Sequence, residues 1–123
     1  MSSPTQLTLK ELRKRGYQLV QVVEHWNPHA MRRVDLFGII DVLAVGQRED
    51  LFDGAAQVVG VQTTSDHNVS AHLKKLKAAK TKDGVQVLPV LSAAGVTVLV
   101  HGWRKRNGEY RLREIDLSKP RTR

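Results

Sequence analysis

The sequence predicts an α/β domain in which a mixed central sheet is flanked by helices and followed by a C-terminal β-hairpin. Three observations lead there. "AAQVVGVQTT", residues 55–64, is a near-continuous apolar run of the type buried on both faces of a sheet. "SDHNVSAHLKKLKAAKTKDG" follows it and sets Val69, Leu73 and Leu76 at i, i+4 and i+7, the spacing of an amphipathic helix. "VTVLVHGWRKRNGEYRLREIDL" puts two strands around Asn107-Gly108, a dipeptide that favours the type I′ hairpin turn. At 123 residues the chain has the size of one domain with room for a real core.

The remaining elements follow in order. "SPTQLTLKELRKRGY" reads as a first helix capped by Thr5 or Thr8, with Leu7, Leu9 and Leu12 as its apolar side and Gly16 ending it. "YQLVQVVEH" is rich in β-branched residues and reads as a strand. "WNPHAMRR" reads as a loop, because Asn-Pro disfavours helix at residue 27. "VDLFGIIDVLAVG" is a longer apolar run interrupted by Asp35 and Asp41, with Asp41 closing a candidate central strand. "GQREDLFDG", residues 46–54, is a charged turn region. Asp66 or Asn68 is available to cap the second helix, and Gly84 lies beyond its end. "VQVLPVLSAAG" favours a short helix stopped by Gly95 over a strand broken by Pro89. "SKPRTR" is a basic tail. No repeat or linker divides the chain, so residues 1–123 are expected to form one domain, with a core over about 7–117.

Composition narrows the function classes. Apolar residues make up 41% and charged residues 26%, a globular balance rather than a disordered one. With no cysteine, disulfide frameworks and thiolate metal sites are excluded, which suits a reducing, cytoplasmic setting. The most apolar window, "VQVLPVLSAAGVTVLV", is too short and too polar for a membrane span, and the N-terminus turns charged at once, unlike a signal peptide. Twenty Lys and Arg against twelve Asp and Glu leave a net charge of +8, and the pI is about 10.2. Such an excess suits a polyanion, because neutralised phosphates release condensed counterions. Aromatics are only 5%, which argues against a base-stacking platform.

An acid inside an apolar strand is costly unless it is paired or binds a cation. Asp41, in "GIIDVLAV", is such an acid. Hard divalent cations take oxygen ligands, and an adjacent strand would bring the Gln62 amide oxygen and the Thr63 main-chain carbonyl near Asp41. That is a candidate Mg²⁺ or Mn²⁺ site, to which Glu11 or Glu24 would add charge. Asp35 reads as a loop or strand-start residue held by Arg32 or Arg33. Pro28 separates His25 from His29, and the five-residue spacing of His67 and His72 sets them on different sides of a helix, so zinc is not expected. His67, directly after the strand, is a general-base candidate, since an unperturbed imidazole titrates near 6.5. The closest phosphate contacts in sequence are Arg32 and Arg33, followed by Lys74, Lys75 and Lys77 on the second helix. Trp103 is expected to pack at a strand end.

The order helix with Glu11, strand, strand with Asp41, turn, strand ending in Gln62-Thr63-Thr64, then a basic helix resembles the PD-(D/E)XK nuclease superfamily. Over residues 7–82 the chain looks most like its small Holliday-junction-resolvase-like, phage and bacterial members. The resemblance implies a restriction-endonuclease-like fold and metal-dependent hydrolysis of DNA, branched DNA included. It gives Asp41 the role of metal-binding aspartate and sets Gln62 and Thr64 where the family carries its second acid and its lysine. It gives Glu11 the role of the helix glutamate, with Glu24 as rival. Lys74 and Lys75 are candidates for a lysine displaced to the helix. Losing one such electrostatic donor costs on the order of 10²–10³ in rate, so slow hydrolysis is expected. The alternatives are a non-catalytic nucleic-acid-binding module of the same fold and a dimeric phage accessory protein.

Overall fold

The computed structural model of the chain describes residues 2–47 and 55–118. The elements are α1 (Pro4–Lys14), β1 (Leu19–Val22), β2 (His25–Asn27), β3 (Arg32–Val34), β4 (Val42–Gln47), β5 (Ala56–Ser65), a 3₁₀ turn (Asp66–Asn68), α2 (Val69–Ala78), α3 (Val87–Ala93), β6 (Val96–Arg106) and β7 (Glu109–Asp116). Five strands form one sheet in the order β1-β4-β5-β6-β7, and β2 and β3 form a separate ribbon. Among the described strands the β5–β6 pair is parallel and the other pairs antiparallel, so the sheet is mixed, as expected.

Strand alternation assigns the two faces. Val42, Ala44, Val59, Val61 and Leu99 point to the side covered by α1, where they meet Leu12 and Tyr17. Val98 and Val100 point to the other side and pack with Ile39, Ile40, Val69, Leu76 and Val87. Each such side chain removed from water contributes about 1.5–3 kcal/mol. The register puts Val42 opposite Val61 and Val61 beside Leu99, so one layer of branched side chains crosses three strands. Two glycines permit close approach of the covering chain. A Cβ at Gly60 would stand 2.6 Å from Ile40 Cδ1, and one at Gly102 would stand 2.3 Å from Val69 Cγ2. Gly60 therefore lets the segment before β4 lie flat on β5, and Gly102 seats the start of α2 on β6.

The short helix α3 and the Asn107-Gly108 hairpin agree with the sequence reading; both turn residues have positive φ, 52° and 79°. Trp103 is half-buried, as expected, and its indole Nε1 donates to Thr8 Oγ1 at 2.9 Å.

Several local expectations are corrected. The cap of α1 is Ser3, which forms a capping box with Gln6, while Thr8 is buried and engaged elsewhere. The expected strand over "YQLVQVVEH" divides into β1 and β2. The expected loop "WNPHAMRR" is largely the β2–β3 hairpin, turned by the Asn27 side chain, whose Oδ1 accepts from the amides of His29 and Ala30 at 2.9 and 3.2 Å. Asp41 stands immediately before its strand rather than at its end, because a turn bridged from Leu36 to Ile40 occupies the first half of the apolar run. Helix α2 stops at Ala78, and Gly84 belongs to a later turn closed on Thr81. Residues 48–54, most of the predicted charged turn, and 119–123, most of the predicted tail, lie outside the described residues. No helix among the described residues is long and apolar enough to cross a membrane.

Candidate active site

The turn before β4 folds back over β5, and that places three carboxylates together. Carboxylate oxygens of Glu24, between β1 and β2, of Asp35, after β3, and of Asp41 all lie within 4.8 Å of one another. The cluster lines a cleft of about 380 Å³, together with Arg32, Arg33, Gln62, Thr63, His72 and Lys75.

Asp35 and Asp41 each accept hydrogen bonds from the protein, and Glu24 is held by an ion pair. Arg33 Nη1 lies 3.6 Å from Glu24 Oε1. Gln62 Nε2 donates to Asp35 Oδ2 at 3.0 Å. The Thr63 amide donates to Asp41 Oδ2 at 2.9 Å, with the Thr63 hydroxyl at 3.3 Å from the same oxygen. Because that hydroxyl donates to Asp41, the Thr5 hydroxyl is the donor in the 3.0 Å Thr5–Thr63 bond, which ties α1 to the floor of the cleft. These donors do not offset the crowding. Asp41 is 5% exposed; burial first, then its hydrogen bond with Asp35, pushes its carboxyl up to about 7 against the opposing Thr63 amide. Three carboxylates at this spacing retain a proton or hold a cation, and the all-oxygen set fits a hard divalent ion.

Gln62 has a different role from the one expected. Its Nε2 faces two acceptors, Asp35 Oδ2 and the Ile39 carbonyl at 2.9 Å, which fixes the amide orientation. Its Oε1 is then an acceptor facing His72 Nδ1 at 3.0 Å, so Nδ1 carries the proton. Burial, then nearby Lys75, holds His72 below its ordinary value, so the ring is neutral near pH 7 and Nε2 is its lone-pair nitrogen. Gln62 is thus a link between the acids and a histidine. Its oxygen is turned to His72, so the expected ligand role is not what this arrangement builds.

Of the residues singled out from sequence for the site, Glu24, Asp41, Gln62, Thr63, Arg32, Arg33 and Lys75 meet in the cleft. The others do not. Thr64 is 7% exposed and does not line it. His67 is exposed on the 3₁₀ turn, and Lys74 and Lys77 are exposed on α2; none of the three lines the cleft. Glu11 belongs to a separate network on the α1 face. It accepts from Arg15 Nε at 2.8 Å, and Arg15 Nη1 donates to Glu114 Oε2 at 2.7 Å. Glu114 Oε2 also accepts from His101 Nε2 at 2.7 Å, and His101 Nδ1 lies 3.1 Å from Thr8 Oγ1. This Thr-His-Glu chain has the order of a nucleophile relay, but Thr8 and His101 are both 0% exposed, so it serves to fasten α1 to β6 and β7.

Asp35 and His72 are the members that sequence reasoning assigned elsewhere, and Glu24 takes the place offered first to Glu11. The signal for Asp35 was Gly38, inside what looked like a continuous apolar run: a glycine there marks a return of the chain, which brings both flanking aspartates to one side. No comparable signal pointed to His72, whose place depends on how α2 docks. Comparison with protein-family models, curated proteins and solved structures finds no match to this chain.

Proposed function

We propose that the chain binds DNA and hydrolyses its phosphodiester bonds with Mg²⁺ or Mn²⁺, in the manner of the PD-(D/E)XK nucleases it resembles. The observation that carries this reading is the meeting of Glu24, Asp35 and Asp41 within 4.8 Å in a cleft edged by basic side chains. The element order also supports it: α1, β1, β4 with Asp41 just before it, β5 with Gln62, then the basic α2. Glu24, Asp35 and Asp41 would hold the cation, which when bound polarises a phosphoryl oxygen and lowers the pKa of water. Arg32 and Arg33 orient the substrate phosphates. Lys75, one turn along α2 from His72, stabilises the charge that develops at phosphorus, the task of the lysine absent at Thr64. His72, kept in its Nδ1–H form by Gln62, accepts a proton from the attacking water at Nε2. A cytoplasmic location belongs to the same reading and suits a chain without cysteine.

A second reading has its own observation. The Gln62 amide is committed to Asp35, Ile39 and His72, so the cleft lacks an acid at that position. A nucleic-acid-binding module without catalysis would tolerate this. The deciding experiment incubates linear and branched DNA with each metal, using the wild type and Asp41→Ala. Metal-dependent cleavage lost in the variant supports the enzyme. Equal background from both proteins, with salt-dependent DNA binding and no metal uptake by calorimetry, supports the module. A homodimer, the remaining expectation, is read by light scattering.

A further inference from the structure

Three large apolar side chains stand in water within residues 26–37: Trp26 is 54% exposed, Met31 72% and Phe37 60%. The other exposed large hydrophobics among the described residues are aliphatic and scattered over other elements: Leu19, Val58, Val85 and Val90. So Trp26 and Phe37 are the aromatic rings of that set; neither lines the acidic cleft itself, but each is a direct neighbour of a residue that does. Trp26 is paired across the β2–β3 ribbon with Arg33, so the indole shares a face with a side chain that lines the cleft. Phe37 lies in the turn between Asp35 and Asp41, next to Gly38 of the cleft lining. Its backbone is left-handed, with φ 55°, a conformation that non-glycine residues adopt at a cost. Gly38 follows with φ 77°, so the pair makes the reversal that the Leu36–Ile40 turn requires, and that turn leaves the Phe37 ring in water.

We propose that Trp26 and Phe37 stack on unpaired bases of a nucleic-acid strand whose phosphates lie against Arg32, Arg33 and Lys75. This rests on the reading of the cleft as a DNA site and names the substrate class: single-stranded segments, or the unpaired stretch of a branched substrate. Charge complementarity selects this occupant. Arg32, Arg33 and Lys75 edge the cleft, its three carboxylates are the groups a bound divalent ion would offset, and the chain as a whole carries +8, a balance that suits a polyanion. Flat exposed rings beside phosphate contacts suit a polyanion that also presents base faces. A duplex presents base edges, with its ring faces already stacked, and leaves such side chains unused. The low aromatic content of the whole chain argues against a stacking platform; what matters is that two of its few rings are exposed on segments that also supply the cleft lining.

The test uses the full chain in EDTA, so that nothing is cut, with labelled oligothymidine and a blunt duplex of equal length, by fluorescence anisotropy. Trp26→Ala should weaken single-strand binding roughly 5- to 150-fold, the range expected for loss of one base-stacking contact. Duplex binding should change by less than about 2-fold, and Trp26→Phe should recover most of the loss. Phe37→Ala should act in the same direction, and circular dichroism should report an unchanged fold for every variant. The proposal is overturned if Trp26→Ala leaves single-strand binding unchanged or weakens both DNAs equally. It is equally overturned if wild type is a dimer by light scattering that Trp26→Ala makes monomeric, for the rim would then belong to a second copy. Asp41-dependent cleavage with no Trp26 effect sinks this inference alone. Absence of cleavage beside a Trp26-dependent single-strand preference sinks the hydrolase reading and leaves this one standing.

Discussion

Replacing Asp41 by asparagine should stabilise the metal-free protein at neutral and alkaline pH, although the residue is buried and hydrogen-bonded. The introduced amide keeps an oxygen for the Thr63 N–H but removes a charge that Asp35 and Glu24 oppose. The wild-type carboxyl moves from 3.8 to about 7 on folding. At 1.36 kcal/mol per unit that is about 4 kcal/mol. Because the amide that replaces the carboxyl is itself buried and keeps a desolvation cost, the substitution recovers on the order of 2–3 kcal/mol of it. For a domain of this size that corresponds to a gain of about 6–15 °C in Tm.

The sign fixes the pH window. Between 3.8 and about 7 the native state holds a proton at Asp41 that the unfolded chain has lost, so stability falls as pH rises across that interval. The difference between Asp41→Asn and wild type should therefore be near zero at pH 4 and complete at pH 8. Titrating groups remote from the cluster cancel in this difference. The assay is thermal unfolding of both proteins in EDTA at the two pH values, then with Mn²⁺ at pH 8. The ion should raise the wild-type Tm well above its effect on the variant, by the linkage of ligand binding to folding. A variant destabilised at pH 8, or a difference that shrinks from pH 4 to pH 8, refutes the reasoning.

Two further predictions concern what holds the site in place. His101, then Arg15, holds the Glu114 carboxyl down at about 2 against its partial burial, so its contribution is present above about 4.5 and is lost as pH falls through 2. With a side chain 32% exposed, solvent screening limits that contribution to on the order of 1–2 kcal/mol. Urea unfolding at pH 6 and 2.5 should show Glu114→Gln losing less stability on acidification than wild type; equal losses would count against the network. Gly102→Ala puts a Cβ 2.3 Å from Val69 Cγ2 and 3.2 Å from the Asp66 Cα, which should cost about 1–3 kcal/mol. Val69→Ala in the same chain should return some of that loss, and strict additivity of the two changes in denaturant unfolding would show that the close contact is not the cause.

Features that depend on local chemistry were legible in the residues alone. The apolar run of β5, the i, i+4, i+7 stripe of α2 and the Asn107-Gly108 turn each encode their structure within a few positions. Asp41 and Gln62 stood out for a related reason: a polar group in an apolar strand has to be compensated wherever the strand lies. The strong positive charge is likewise a property of composition.

Packing settled which polar groups meet. Asp35 looked like a loop residue because its partner Gln62 is 27 positions away, and no local pattern reports such a contact. Asn27 nucleates a hairpin around what the Asn-Pro dipeptide marks only as a break. Glu24 outranks Glu11 because β1 delivers its end to the cleft, while α1 carries Glu11 to the Arg15–Glu114 network on the opposite face. His72 reaches Gln62 only because Gly102 lets α2 settle on β6. Chain patterning specifies which side chains need burial or partners; the packing of turn, sheet and helix selects, from many distant candidates, the partner each one finds.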